Sequence, residues 1–119
     1  MVGVALRKAD TGISPHPNEF YRRRIERALE NRKRYKYVEP RIVAAEGGYR
    51  IESPCCSRNI DPEGGVINVA LLTFAPETKC WTLHRHDHAS GVWQEDRTFD
   101  HLPDLLDHLN ADPERKFWQ

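Results

Sequence analysis

Three strand-length runs lie between residues 66 and 99, and only the connections APETK and HASG separate them. A parallel neighbour needs a crossover of about a dozen residues or more, which connections this short cannot supply. The runs VINVALLTF (66–74), CWTLHRHD (80–87) and VWQEDRTF (92–99) must therefore pair as an antiparallel meander. The first run is apolar in both alternations, with Ile67, Val69 and Leu71 against Val66, Ala70, Leu72 and Phe74. That pattern predicts a central strand covered on both sides. The second sets Trp81, Leu83 and Arg85 against Cys80, Thr82, His84 and His86, and Gly91 is free to take positive φ in the turn after it.

Upstream, Ile42–Ala45 and Tyr49–Ser53 flank Gly47–Gly48 and read as a hairpin, with Pro40 marking an edge strand or bulge. Before it, Tyr21, Ile25, Ala28 and Leu29 form one stripe at helical spacing. Asn18 is a suitable cap and cations crowd the far end, so a helix is expected over residues 18–34. Downstream, Leu102, Leu105, Leu106 and Leu109 predict a second amphipathic helix over 100–110, with Asp100 as its cap. Phe117 and Trp118 in the tail are expected to pack on the core. The expected fold is α+β, an antiparallel four- to five-stranded β-meander flanked by an N-terminal and a C-terminal helix. Residues 1–16 read as a flexible arm and 17–119 as one α+β domain.

No apolar run approaches the ~18 residues of a membrane helix. Three cysteines, an odd number, do not suggest a disulfide framework, and the N-terminus lacks the order of a secretory signal. Both points favour a cytoplasmic setting. The formal net charge is zero, yet residues 1–50 carry +6 and residues 51–119 carry −6. Such a split makes one basic and one acidic face unless the halves fold against each other.

Two constellations carry chemistry. Cys55 and Cys56 sit side by side in the connection SPCCSRNIDPEGG, and Cys80, His84 and His86 share one alternation of a strand. Thiolates and imidazoles are the ligands Zn²⁺ prefers, and His-x-His places two imidazoles about 6–7 Å apart on one strand face. A loop cysteine folded over that face would complete a zinc site; the alternative is solvent-facing histidines and small packed cysteines. There is no Cys-x₂-Cys, and no catalytic motif recruits these thiols as nucleophiles. The second constellation is the basic helix, where Arg22, Arg23, Arg27, Arg32, Lys33 and Arg34 accompany Tyr21, Tyr35 and Tyr37. Clustered cations neutralise phosphates and aromatics stack on bases. The plainer reading is a solvated face paired with Glu26 and Glu30.

The stretch WTLHRHDHASGVW resembles the Trp-x-Leu…Asp…Trp signature of an uncharacterised family of small bacterial domains of unknown function. YKYVEPRIV, GYRIESPCCSRNIDPEGG and LNADPERKFWQ support the resemblance, whose clear overlap is residues 69–93. The position after Trp-x-Leu, often aromatic in that family, is His84 here. The resemblance implies a bacterial origin and carries over no catalytic residue. The expected function is thus a small cytoplasmic binding or interaction protein without catalytic activity. Its alternatives are a zinc-binding protein using the Cys/His cluster and a nucleic-acid-binding protein using the basic helix.

Overall fold

The computed structural model describes residues 15–32, 39–54 and 65–118. Helix α1 (Glu19–Ala28) continues as a 3-10 turn at Leu29–Asn31. Strands β1 (Arg41–Ala45), β2 (Gly48–Pro54), β3 (Val66–Ala75), β4 (Cys80–Asp87) and β5 (Val92–Phe99) follow, and then helix α2 (Leu102–Ala111). The strands form one antiparallel sheet whose spatial order repeats the chain order, β1-β2-β3-β4-β5. The α+β meander expected from the sequence is therefore present, with five strands.

In the β1–β2 hairpin Ala45 pairs with Gly48, so Glu46 and Gly47 make the two-residue turn and Gly47 takes φ +72°. Gly48, expected in the turn, instead begins β2. A side chain there would run into the Leu72 carbonyl of β3, so its role is close backbone approach.

Two bulges set the faces of the sheet. Ile51 pairs with Ala70 but Glu52 pairs with Asn68, which leaves Val69 as the extra residue and lets Val69 and Ala70 both face inward, at 2% and 0% exposure. Leu83 pairs with Arg97 but His84 pairs with Glu95, so Asp96 is the extra residue in β5. Tyr49, Ile51, Ala70, Leu72, Trp81 and Leu83 join Ile25, Leu29 and the four leucines of α2 in one buried cluster. Both helices therefore cover the same sheet face. Each fully buried Leu or Ile in that layer contributes about 1.5–3 kcal/mol. The expectation that β3 is covered on both sides is corrected. Its two-sided apolarity arises from the bulge, Val66 is exposed, and among the described residues no helix packs on the second face.

Asn18 caps α1 as expected, its side chain accepting from the Tyr21 amide at 2.8 Å. The helix stops at Ala28, short of residue 34. The chain tightens into the 3-10 turn and Arg32 turns extended. The Arg32 guanidinium, 5% exposed, folds back to donate to the Leu29 carbonyl at 2.8 Å and lies over the Trp118 ring at 5.4 Å. A run of helix-favouring cations hides such a stop, because tertiary packing of one of them makes it.

Helix α2 buries Leu102, Leu105, Leu106 and Leu109, the stripe read from the sequence. Its N-cap is His101, without a side-chain bond, in place of Asp100. At the other end Asp112, 1% exposed and left-handed at φ 40°, accepts from the amides of Lys116 (2.8 Å), Phe117 (3.2 Å) and Trp118 (2.8 Å). This clasp folds the tail back, so Phe117 and Trp118 are buried at 1% and 0%. Trp118 then donates from Nε1 to the Leu109 carbonyl, and Asn110 donates to the Ala28 carbonyl of α1. No helix among the described residues is long and apolar enough to cross a membrane.

Candidate functional site

One-sided packing of the two helices leaves two surfaces on which polar chemistry concentrates: a groove between α1 and the edge strand β1, and the sheet face that no helix covers among the described residues. The groove has a volume of about 530 Å³ and is lined by Arg22, Arg23, Glu26, Arg27, Glu30, Arg32, Glu39, Pro40 and Arg41. Helical periodicity puts the α1 residues on its polar side, while Ile25 and Leu29 face the core. Among the described residues, five arginines against three glutamates give the lining a formal +2.

Ion pairs occupy some of these cations and leave others exposed. Glu19 binds Arg22 through Nε at 2.9 Å and Arg23 at 3.1 Å, and these two hydrogen bonds hold its carboxyl down at about 2. Arg22 also approaches Glu26 at 3.9 Å. Arg27 is exposed and makes no ion pair within 4 Å among the described residues. Burial lowers the Arg32 pKa, with Glu39 opposing that effect, and its contacts with Leu29 and Trp118 make it a wall of the groove. Of the residues singled out in the sequence, Arg22, Arg23, Arg27 and Arg32 thus share one concavity; Lys33 and Arg34 lie outside the described residues. Arg41 and Glu39 complete the lining and were not signalled by the helical pattern, because they come from the other side of the groove.

Arg41 also leads onto the uncovered face. It meets Glu52 at 3.0 Å, and Arg50 meets the same carboxylate at 2.9 Å. Alternation from the buried Trp81 and Leu83 places Cys80, Thr82, His84 and His86 on this face, as the sequence indicated. Along the strand they are spread out: Cys80 and His86 are separated by roughly 20 Å at ~3.3 Å per residue. The Cys80 sulfur lies 3.5 Å from the Thr78 carbonyl and 3.6 Å from Asp100 Oδ1. His84 Nε2 is 3.0 Å from Thr73 Oγ1, and burial lowers its pKa, partly offset by Glu95. Among the described residues no three His, Cys, Asp or Glu side chains converge to hold a metal ion. Cys55 and Cys56 lie outside the described residues.

His86 has a neighbour that the strand pattern does not reveal. His88, just past the end of β4, brings its Nδ1 to 3.3 Å from His86 Nδ1, and the Trp93 ring packs edge-on against His86 at 4.8 Å. Burial, and then the His86 charge, lower the His88 pKa against the opposing pull of Asp87.

His16 is a further residue the sequence pattern misses. Expected in the arm, it is 7% exposed, and its ring is surrounded by Tyr21, Tyr49, Phe74 and Trp81 at centroid distances of 4.7, 5.6, 5.0 and 4.6 Å. The Tyr49 hydroxyl lies 2.8 Å from His16 Nδ1 and accepts from the Asn18 amide at 2.9 Å. This box anchors the N-terminal approach to α1 and so helps fix the arginine-bearing helix beside β1.

The chain belongs to the family described as a domain of unknown function, DUF3024, whose model matches residues 13–119. The match contains the stretch 69–93 and extends over both helices and the whole sheet. No curated protein and no solved structure matches the chain.

Proposed function

Starting from a family that assigns no activity, we propose that this domain is a cytoplasmic, non-catalytic binding module. Its ligand is a phosphate-rich polymer, single-stranded nucleic acid, seated along the arginine groove. The observation that carries this reading is the gathering of Arg22, Arg23, Arg27 and Arg32 with Arg41 in one concave surface. Guanidinium groups match phosphate oxygens in fork geometry, and a groove excludes part of the water that would screen them. Exposed Arg23 and Arg27 make the phosphate contacts, while buried Arg32 shapes the wall. The Arg41–Glu52–Arg50 triad continues the cationic path onto the open sheet face.

Phosphate neutralisation releases counterions, so affinity falls with salt at a slope of ~0.7 per phosphate for single strands. The test is fluorescence anisotropy of labelled single-stranded RNA and DNA of mixed sequence across a salt series. Binding at about 50 mM salt is expected, with Arg23→Ala/Arg27→Ala weakening all sequences alike and flattening the salt slope by about 1–2. Absence of binding to either polymer at that salt, or a double variant with an unchanged slope, overturns the reading.

A further inference from the structure

The histidine pair at the end of β4 has the geometry of a chelate. His86 stands on the uncovered sheet face opposite Trp93, and His88 is the first residue of the turn that leads to β5. Their Nδ1 atoms are 3.3 Å apart. A metal ion bonded to two imidazole nitrogens at ~2.0–2.1 Å in a tetrahedron separates those nitrogens by ~3.4 Å. The observed spacing equals that bite within about 0.1 Å, and it lies just beyond the ~2.7–3.2 Å of an ordinary N–H···O hydrogen bond.

Two features hold the pair in place before any ligand arrives. The Trp93 ring sits edge-on to His86, 4.8 Å away at 64°, which restricts the imidazole. The turn carrying His88 is closed by Asp87, whose carboxylate accepts from the Ala89 amide at 3.1 Å and the Ser90 hydroxyl at 2.9 Å, and whose carbonyl accepts from Gly91 at 2.7 Å. A preorganised bidentate pair forgoes much of the ordering cost that weakens a mobile surface pair. His84, two residues back, differs: its Nε2 is engaged with Thr73.

We propose that His86 and His88 form a bidentate site for a borderline divalent transition-metal ion, with the remaining coordination positions open to water or an incoming ligand. Imidazole nitrogen suits Zn²⁺, Ni²⁺ and Cu²⁺, and the order of affinity follows Zn²⁺ and Ni²⁺ below Cu²⁺. The site is independent of the arginine groove and stands whether or not the chain binds nucleic acid.

The experiment is calorimetric titration of the full chain with Ni²⁺ and with Zn²⁺ alone, beside His86→Ala, His88→Ala and His84→Ala variants. Trp fluorescence is followed during a parallel Cu²⁺ titration. One equivalent is expected to bind, with either His86→Ala or His88→Ala raising Kd by about tenfold or more through loss of chelation, and His84→Ala changing it less than about twofold. Cu²⁺ should quench the fluorescence of Trp93, and Trp93→Phe should remove that part of the quench while leaving one equivalent bound. His86→Gln and His88→Gln repeat the comparison with side chains that keep polarity and bulk. Binding that survives both histidine substitutions, binding that His84→Ala weakens equally, or no binding below about millimolar metal overturns the proposal.

Discussion

Replacing His16 tests whether the aromatic box is as consequential as its geometry implies. The ring is 7% exposed, touches four aromatic rings and shares the Tyr49 hydroxyl. Truncation to Ala opens a cavity among rings that cannot all collapse inward. Large-to-small changes of an aromatic-sized group cost about 3–5 kcal/mol, and aromatic pairs add about 0.5–1.5 kcal/mol each beyond area. His16 lies before α1, where the chain can yield, so His16→Ala is expected to cost about 2–4 kcal/mol, below the full core value. The same site predicts a pH effect. Burial lowers the His16 pKa in the folded chain beneath the unfolded 6.5, so the unfolded chain binds more protons as pH falls below 6.5. Its contribution is complete above that pH and is lost as pH drops through the folded pKa. His84, His88 and His108 are shifted the same way by burial, so wild-type stability alone cannot isolate His16. His16→Phe keeps a ring in the box and removes the titration. Urea unfolding of both proteins at about pH 8 and about pH 5 should show the wild type losing more stability than His16→Phe, since the other histidines cancel in the difference. Equal losses would refute the claim that a neutral imidazole is what the box holds. A His16→Ala cost under about 1 kcal/mol would refute the packing argument.

Three further substitutions probe other parts. Asp112→Ala removes the carboxylate that receives three backbone amides and should cost about 2–4 kcal/mol by urea unfolding, with Trp118 fluorescence shifting red as the tail detaches. A melting temperature within a degree or two of wild type would argue against the clasp. Gly48→Ala should destabilise by about 3 kcal/mol or more, because its methyl meets the Leu72 carbonyl and only backbone movement relieves the clash; calorimetric melting decides it. Glu52→Gln releases Arg41 and Arg50 from a shared carboxylate, so single-stranded nucleic acid should bind more tightly with a steeper salt dependence, and weaker binding would exclude the triad from the ligand path.

The fold was legible where a period repeats over several residues. The leucines of α2, the short connections between β3, β4 and β5, and the Asn18 cap each express a local rule that the tertiary structure leaves intact. What the sequence concealed depends on partners far along the chain. The stop of α1 depends on Arg32 reaching Trp118, and the one-sided burial of β3 on an unpaired Val69 opposite Ile51 and Glu52. The sites divide in the same way. Of the six singled-out basic residues, Arg22, Arg23 and Arg27 share the polar side of α1, where helical periodicity groups them, whereas Arg32 reaches the same groove from extended backbone beyond the helix. Arg41, His88 and His16 belong to a strand edge, a turn and an approach segment, where no period operates. Alternation puts Cys80 and His84 on one face of β4 but says nothing of distance along it.

Charge is where the order of the strands and the proposed function meet. Because the sheet repeats chain order, its strands run from the first half of the sequence at the β1 edge to the second half at the β5 edge. Residues 65–118 carry five Lys/Arg and nine Asp/Glu, and α2 with its Asp104 and Asp107 packs by β4 and β5, while its C-terminal end meets the end of α1 through Asn110. Asp104 and Asp107 stand toward the β5 side, about two and one helix turns before the Asn110 contact with α1, and the five strands set β1 and β5 apart by roughly 19 Å at ~4.8 Å per strand. That exceeds the ~10 Å Debye length at 0.1 M salt and falls inside the ~30 Å length at 0.01 M. The acidic end should therefore repel an approaching polyanion only at low salt, and it should act on encounter more than on the bound complex. Asp104→Lys/Asp107→Lys changes the net charge by four on an exposed helix face, leaving the leucine stripe and the arginine groove untouched. Stopped-flow binding of a labelled single strand should show kon rising about tenfold or more at 0.01 M salt and less than about twofold at 0.15 M, with koff nearly constant. If koff slows instead, the ligand touches α2 itself and the groove is not its seat. If neither rate responds at low salt, the charge split of the sequence does not steer this ligand.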